Sequence, residues 1–258
     1  MLDIMFMDLR RLLGSPILYV SIFFVTIMAF AMALTGGVGE TAPSLASLMG
    51  TVSTGNSGDD FMAGSMGPGV MVILAGIALS AFTCGDFSTG SAKGILSFHA
   101  NPFSYIGGRM ASMSIFSATL LVLYLCECCI ALIIFGAGIQ LPGGIVGLLV
   151  FLAEKQLIAC AFLAILLAVC LALRNHAVGV VLAFLLATGG LSMSLPMLAS
   201  SFGLPFLNAL YAVTVSGTSL ACSLTFSFGT LIRVLLVTAV WGTACIEASH
   251  LALKKRDV

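Results

Sequence analysis

Residues 86–110, DFSTGSAKGILSFHANPFSYIGGRM, separate two apolar runs of the chain and carry the basic residues Lys93 and Arg109. The runs on either side, 68–87 and 109–135, are each long enough to cross a bilayer, since a membrane-spanning helix needs about 20 apolar residues. A polar stretch between two such helices predicts a short loop at the membrane surface. Because cations accumulate on one side of a membrane, we expect the loop on that side.

The composition excludes an ordinary soluble domain. Of 258 residues, 60% are hydrophobic and 8% are charged, whereas soluble proteins have about 25% charged residues. A transmembrane barrel would show alternating segments of about ten residues, and this chain instead has continuous apolar blocks. We therefore expect an all-α polytopic membrane protein with six spans, at residues 16–35, 68–87, 109–135, 155–173, 177–196 and 231–253. The segment 143–153 is too short to span, so it either lies at the interface or extends the fourth helix.

The distribution of cations favours one orientation. In a six-span topology, most of the ten Lys and Arg residues fall on one side, namely Arg10, Arg11, Lys93, Arg109, Arg174, Lys254, Lys255 and Arg256. The other two, Lys155 and Arg233, fall at the outer ends of helices. The positive-inside rule then places both termini in the cytoplasm.

Two segments outside the predicted spans have features of their own. Residues 1–15 place apolar residues such as Leu2 and Phe6 at helical spacing, which predicts an amphipathic helix in the cytoplasmic interface, followed by a transmembrane domain over 16–258. A signal peptide is the alternative interpretation. Two features speak against it: two acids precede the apolar run, and that run is longer than the apolar region of about 7–15 residues in a signal peptide. The segment 198–230 is apolar yet interrupted by Gly and Pro, and predicts a re-entrant or interfacial helical pair.

Few residues are suited to chemistry. Glu127 lies deep in the third span, where a carboxylate costs a few kcal/mol unless it is paired, protonated or facing water. A substrate path, a contact across a dimer and a structural hydrogen bond all stay open for it. The cysteines fall mostly in spans, where we expect them to pack as small hydrophobes. The sequence has no H-E-x-x-H, G-x-S-x-G or phosphate-binding G-x-x-x-x-G-K-[ST] motif, so any ATP would have to be bound by another subunit.

The segment Asp86–Ser97 has the sequence DFSTGSAKGILS, with Tyr105 and Arg109 after it, and the chain ends in KKRDV. With the predicted topology, these features resemble the permease subunit of type-2 ABC exporters, the bacterial group that includes bacteriocin, lantibiotic-immunity and phenol-soluble-modulin exporters. The family pattern is close to Glu-Phe-Ser-Ser-Gly-Thr-x-Lys-x-Ile-Leu-Ser, followed by a Tyr and a Lys, with a basic-Asp-aliphatic ending. This sequence departs from it in having Asp86 for the usual Glu, and Asn101-Pro102 where Ser-Arg often precedes the Tyr.

The resemblance implies that segment 86–109 is a coupling segment that docks in a cleft of a separate ATPase. The residues then expected to bind the ATPase are Asp86, Ser91, Lys93, Ile95, Leu96, Phe98, Tyr105 and Arg109. The chain itself would hold no catalytic residue, cofactor or metal, since two ATPase subunits would bind ATP and Mg. A second permease copy, identical or a close paralogue, would complete the complex in the lipid bilayer of the bacterial cytoplasmic membrane, and no nucleic-acid partner is expected.

The expected function is alternating access in a dimer that moves a hydrophobic or amphipathic substrate, such as an antimicrobial or cytolytic peptide, out of the cell or the membrane. The candidate pathway residues are Met113, Phe116, Glu127, Met193 and Met197. Two other classes stay open. A proton-coupled secondary transporter would use Glu127, and an intramembrane enzyme would use Glu127 and Glu154 as paired acids.

Overall fold

The computed structural model describes residues 2–36, 68–91, 94, 102–134, 144–188, 195–198, 201–202, 206–222 and 227–254. These residues form helices and contain no strand, in agreement with the all-α prediction. The principal helices are α1 (Leu2–Leu13), α2 (Pro16–Gly36), α3 (Pro68–Ser88), α4 (Pro102–Ile134), α5 (Gly144–Leu173), α6 (His176–Ala187), α7 (Phe206–Val213), α8 (Val215–Ala221) and α9 (Phe228–Lys254).

Four helical stretches are long and apolar enough to cross a membrane, namely Gly69–Ser88, Pro102–Ala131, Gly144–Leu173 and Phe228–Lys254. Helices α1 and α2 meet at 66° and give a fifth candidate span when this bent pair is taken together. Helix α6 has 12 residues, fewer than the roughly 17–25 that a span requires. The described residues thus have the helical architecture of a membrane protein with four or five candidate spans, and the six-span topology stays a prediction.

Several helix bounds differ from the predicted spans. Helix α4 begins at Pro102, before the predicted start at residue 109, because proline is favoured at a first helical position and the residues after it find partners inside the chain. Helix α5 begins at Gly144, so residues 144–153 belong to the same helix as the predicted fourth span, 155–173. Helix α6 ends at Ala187, and residues 189–194 of the predicted fifth span lie outside the described residues.

The break between α1 and α2 has a local cause. Gly14 and Ser15 separate the two helices. The Ser15 side chain accepts a hydrogen bond from the backbone N–H of Ile17 at 3.1 Å, and Pro16 takes the first position of α2, so together they start a new helix in a new direction. The chain therefore turns sharply where α1 gives way to α2.

Helix α5 lies at the centre of the bundle and packs against α3, α4, α6, α8 and α9. Its buried side chains include Phe151, Ile158, Phe162 and Leu166. In contrast, only 11% of the apolar window of α9 is buried, against 67% of the window of α3. Helix α9 therefore turns most of its apolar surface away from the chain's own core.

Two glycines allow α3 to approach its neighbours closely. A Cβ built at Gly76 would lie 2.7 Å from the Cβ of Ala183, and one built at Gly179 would lie 2.6 Å from the Cβ of Ser80. Contacts this short do not occur between real side chains, so a larger residue at either position would push the helices apart. Helix α3 places Gly76 opposite Ala183 of α6, and α6 places Gly179 opposite Ser80 of α3. Small residues at helix crossings are typical of packing inside membranes.

The described part of segment 198–230 includes two short helices, α7 and α8, which pack against each other. Thr214 separates them, and its side chain accepts a hydrogen bond from the backbone N–H of Gly217. Helix α8 packs on α5 and α9. The segment is thus a broken helical pair held against the bundle, and its placement in a membrane stays a prediction.

Candidate functional site

A fully buried arginine is the most unusual feature of the helix ends that flank segment 86–109. The side chain of Arg109 in α4 is 0% exposed. Its Nη1 donates to Asp8 Oδ1 of α1 at 2.9 Å, and its Nη2 donates to Asp86 Oδ2 of α3 and to the Tyr105 hydroxyl at 3.2 Å. One guanidinium therefore joins three helices.

Other groups complete this ion cluster, which we define as Asp8, Arg11, Asp86, Tyr105, Arg109 and Ser112. The Ser112 hydroxyl donates to Asp8 Oδ2 at 3.3 Å. Arg11 donates from Nη1 to Asp86 Oδ1 at 2.7 Å, with 40% of its side chain exposed. Two carboxylates thus meet two guanidiniums, and the cluster is formally neutral.

Neutrality matters because burial penalises each charge separately. Taking a charged group out of water costs several kcal/mol, and only close partners of opposite sign offset that cost. Burial raises the pKa of the Asp8 carboxyl above its usual range, and the Arg109 guanidinium opposes that rise. Arg109 therefore favours the ionised form of Asp8.

The ion cluster lies at the two stems of the 86–109 segment, which are the end of α3 and the start of α4. Helix α3 ends at Ser88, and Gly90 then takes a positive φ of 75° that suits glycine. Ser91 folds back, its hydroxyl donating to Asp86 Oδ1 at 3.3 Å. Arg109 follows Pro102 by about 10 Å along α4. The Asp86–Arg109 ion pair therefore holds the two stems together.

Two aromatic contacts bring further helices to the stems. The guanidinium of Arg174, at the turn between α5 and α6, lies 4.2 Å from the ring centroid of Phe87. The rings of Phe103 in α4 and His250 in α9 stack at 4.3 Å with an interplanar angle of 15°. Movement of either stem would therefore reach α9 and the α5–α6 turn as well as α1.

The residues expected to bind an ATPase fall into two groups. Asp86, Tyr105 and Arg109 are buried in the chain and contact one another, so in this conformation they hold the stems and offer no surface to a partner. Ser91 is half-buried beside them. The remaining residues of that prediction, Lys93, Ile95, Leu96 and Phe98, lie outside the described residues.

The described residues of the predicted pathway lie in different surroundings. Met113 and Phe116 are buried at 0% and 4% exposure and fill the core of the chain itself, which gives them no free surface here. Met197 is exposed, and Met193 lies outside the described residues. Glu127 Oε1 accepts a hydrogen bond from the Thr26 hydroxyl of α2 at 2.7 Å. A structural hydrogen bond to a neighbouring helix was one of the three alternatives for this residue.

Two cations, Lys155 in α5 and Arg233 in α9, lie far from the stems, towards the opposite end of the bundle. Lys155 Nζ donates to the Ser219 carbonyl oxygen at 2.7 Å, and Arg233 Nε donates to the Ala212 carbonyl oxygen at 3.1 Å. Both acceptors lie in the last turns of α8 and α7, where helix carbonyls lack partners within the helix. Cations there also face the negative end of the helix dipole. Lys155 and Arg233 therefore fix the broken helical pair against α5 and α9.

Sequence reasoning missed Asp8. It lies on the face of α1 that is buried, with Ile4 and Leu12, and no local spacing rule relates it to a residue in α4. A signal was nevertheless present, because an arginine at the start of a membrane helix needs a counter-ion, and few acids fall on the same predicted side as Arg109.

The described side chains do not assemble a metal site. Among those residues there is no group of three or more His, Cys, Asp and Glu side chains that could hold a metal ion. The eight cysteines are free thiols. No protein-family model matches this chain, and no curated protein matches it.

Proposed function

We propose that the chain is the membrane subunit of an ATP-driven exporter of the type-2 ABC class, and that the 86–109 segment receives the movement of a separate ATPase. One observation carries the proposal, namely the ion cluster at the stems of that segment. Its buried Arg109 binds the stem in α3 and helix α1 at once. A push on the loop would thus move three helices together.

The mechanism follows from the coupling of rigid elements. Two ATPase subunits that bind ATP and Mg close on each other and draw the coupling segments of two permease copies together. Packed helices shift as units because their interfaces do not deform continuously. In each copy α1, α3 and α4 then move as one body, the cavity between the copies opens outward, and ATP hydrolysis returns the complex to its starting state.

A dimer is part of the proposal because the interior of one chain is filled. Met113, Tyr124 and Phe151 are each 0% exposed and occupy the space between helices where a pathway through one chain would run. The apolar surface of α9 that the chain leaves exposed suits lipid or a second copy. A pathway between two copies with few charges would carry a hydrophobic or amphipathic substrate, such as a peptide.

The orientation and membrane remain those predicted from the cations, with both termini in the cytoplasm and the complex in the bacterial cytoplasmic membrane. The two cations that depart from the rule are the ones that donate to backbone carbonyls, Lys155 and Arg233. Their position at the outer end is thus compatible with the rule, because both are engaged by the chain itself.

Co-purification with an ABC-type ATPase from the same genome tests the proposal. The chain carries an affinity tag, and the variant Ile95→Asp/Leu96→Asp places two charges in the apolar part of the segment. We expect the ATPase to accompany the wild-type chain and to be lost from the variant.

The matched control is Ile145→Asp/Val146→Asp, since these neighbouring aliphatic residues at the start of α5 are exposed and lie far from the loop along the chain. It should retain the ATPase. Equal recovery from wild type, control and loop variant would show that this segment is not the docking site. No recovery from any of the three would remove the exporter proposal.

A second candidate, a proton-coupled secondary transporter, rests on Glu127. Its Oε2 is buried without a hydrogen-bond partner among the described residues, as for a carboxyl group that takes up and releases a proton. The two proposals differ for Glu127→Gln, which keeps the acceptor for Thr26. The variant should abolish transport by a proton-coupled protein, whereas an ATP-driven exporter should retain both its transport and its ATPase activity.

The intramembrane-enzyme alternative receives no such support. Glu127 bonds Thr26, whereas Glu154 lies in α5 beside Lys155 and Cys222. The structure therefore gives the two acids different partners and does not pair them for general acid–base chemistry.

A further inference from the structure

Helix α1 has the geometry of a helix that lies along a membrane surface. It meets α2 at 66°, so if α2 crosses the bilayer, α1 runs across its direction. Leu2, Phe6 and Leu13 are 64%, 63% and 67% exposed. At 3.6 residues per turn they lie within about 40° of one another around the helix. This apolar stripe faces away from Asp8 and the rest of the ion cluster.

An open cleft of about 410 Å³ runs along one flank of α1, and Phe6, Met7, Arg10 and Arg11 line it. This volume is within the range of about 300–1,000 Å³ that small-molecule sites have. The cleft has an apolar wall at Phe6, with Arg10 about 40° from it around the helix, and Arg11 lies towards the buried face. It therefore combines an apolar surface with two positive charges.

The two arginines have donors to spare. Arg10 is exposed and takes part in none of the three ion pairs of the described residues. Arg11 uses Nη1 for Asp86 while 40% of its side chain stays exposed. The planar fork of a guanidinium matches the geometry of a phosphate and forms paired hydrogen bonds with it. A phosphate group in the cleft would thus meet two cations.

We infer that this cleft binds the headgroup of an anionic phospholipid, with the phosphate on Arg10 and Arg11 and an acyl chain along Phe6 and the apolar stripe. The stripe is what favours a lipid over a soluble phosphate, because a soluble ligand would leave Leu2, Phe6 and Leu13 without a partner. The lipid would contact the ion cluster directly, because Arg11 belongs to the cluster and donates to Asp86.

Native mass spectrometry of the full-length chain in a neutral detergent tests this inference. The protein is titrated with phosphatidylglycerol or with phosphatidylcholine, and bound lipids are counted from the mass of the intact complex. Arg10→Gln removes one cation without touching any residue of the ion cluster. Phe6→Ala removes the apolar wall and leaves both charges in place.

The matched control is Lys254→Gln, which deletes a charge from an exposed residue near the end of α9, on the same predicted side of the membrane. Each basic residue near an anionic surface contributes about 1 kcal/mol, or roughly a five-fold change in affinity. We expect Arg10→Gln to lower the preference for phosphatidylglycerol over phosphatidylcholine by about that factor, Phe6→Ala to weaken both lipids, and Lys254→Gln to change neither.

Two results would overturn the inference. Equal effects of Arg10→Gln and Lys254→Gln, or no effect of either, would mean that anionic lipid binds by net charge or not in the cleft. Displacement of phosphatidylglycerol by an equal concentration of glycerol phosphate would identify a site for a soluble phosphate. The isolated chain is measured without ATPase or nucleotide, so the result is independent of the exporter proposal.

Discussion

The cations at the two ends of the bundle are stabilised in different ways. At the stems of segment 86–109, Arg109 meets the carboxylates of Asp8 and Asp86, which belong to two other helices. At the opposite end, Lys155 and Arg233 meet backbone carbonyl oxygens of α8 and α7. Arg233 and His250, which stacks on Phe103 beside the stems, are separated by about 25 Å along the axis of α9, so the two arrangements lie near opposite ends of that helix.

The two arrangements have different structural consequences. The ion pairs at the stems connect several helices, whereas the hydrogen bonds to carbonyl oxygens stabilise one local helical pair. Helices α1 and α3 both pack against α4, and the ion pairs between their side chains strengthen that contact, so they can carry movement from one helix to another. A cation on the carbonyls of a broken helical pair depends on the geometry of that pair and fixes it in place. We therefore expect losses at the first end to affect the whole bundle, and losses at the second to stay local.

The largest effect is expected for Arg109→Met, which keeps the bulk of the side chain but removes its charge. Asp8 and Asp86 then stay buried without their shared cation, a change that costs about 3–5 kcal/mol when one partner of a buried ion pair is lost. Thermal unfolding of the purified chain, followed by its aggregation or by intrinsic fluorescence, measures the loss.

A variant that also removes both carboxylates distinguishes charge from packing in this cluster, and it leaves only the 40% exposed Arg11 charged. Asp8→Asn/Asp86→Asn/Arg109→Met has no uncompensated carboxylate among these three positions, so it should recover a large part of the stability that Arg109→Met loses. If the single variant unfolds at the wild-type temperature, the two carboxylates do not need Arg109, and the cluster does not join the helices as we describe.

Arg233→Met makes the same chemical change at the opposite end, with a smaller expected effect. The carbonyl oxygens of Ala212 and Gly217 lose the guanidinium as a donor, although Thr218 still donates to Ala212, and no charge is left buried, so the cost is about 1–3 kcal/mol. The same unfolding measurement compares it directly with Arg109→Met. Equal losses for the two variants would show that the partner of the cation, charged or neutral, does not matter here.

Gly217→Ala tests how tightly the broken pair is built. A Cβ at Gly217 would overlap the carbonyl oxygen of Tyr211, so α7 and α8 must shift, at a cost of about 1–2 kcal/mol for one added methyl. The shift should expose the buried thiol of Cys222 and speed its reaction with a maleimide, as resolved by peptide mass spectrometry.

The control for this variant is Gly242→Ala in α9, where an added Cβ would meet no atom within 4 Å. Its Cys222 should react at the wild-type rate. Protection of Cys222 in Gly217→Ala would mean that the helical pair accommodates the methyl group without opening.

The sequence predicted the apolar helices well where hydropathy alone decides their length. The spans at 16–35, 68–87 and 231–253 correspond to helices Pro16–Gly36, Pro68–Ser88 and Phe228–Lys254. The sequence predicted helix bounds less well where a helix extends beyond its apolar run. Helix α4 begins at Pro102, seven residues before the predicted span. There Tyr105 and Arg109 find hydrogen-bond partners inside the chain, which a window of hydropathy does not register.

The candidate site was predicted in part, for a similar reason. Asp86, Tyr105 and Arg109 were identified by their order around one polar segment, but their burial and their contacts with one another were not. Asp8 is 101 residues from Arg109 in sequence, and the pairing arises only when α1 packs on α4. Local periodicity assigns a residue to a face of a helix, whereas packing decides what lies opposite that face.

The smallest expected effect concerns the contact between Arg174 and Phe87, which ties the α5–α6 turn to the stem in α3. Phe87→Leu keeps an apolar side chain but removes the ring face beneath the guanidinium, at a cost of about 0.5–1 kcal/mol. Phe82→Leu makes the same change in the same helix at a residue that packs against the core and supplies the matched control. A double-mutant cycle with Arg174→Met isolates the pairwise contribution. A coupling free energy of zero would mean that this turn follows the stem only through the backbone, and the joint between helices would then be limited to the ion cluster and the Phe103–His250 stack.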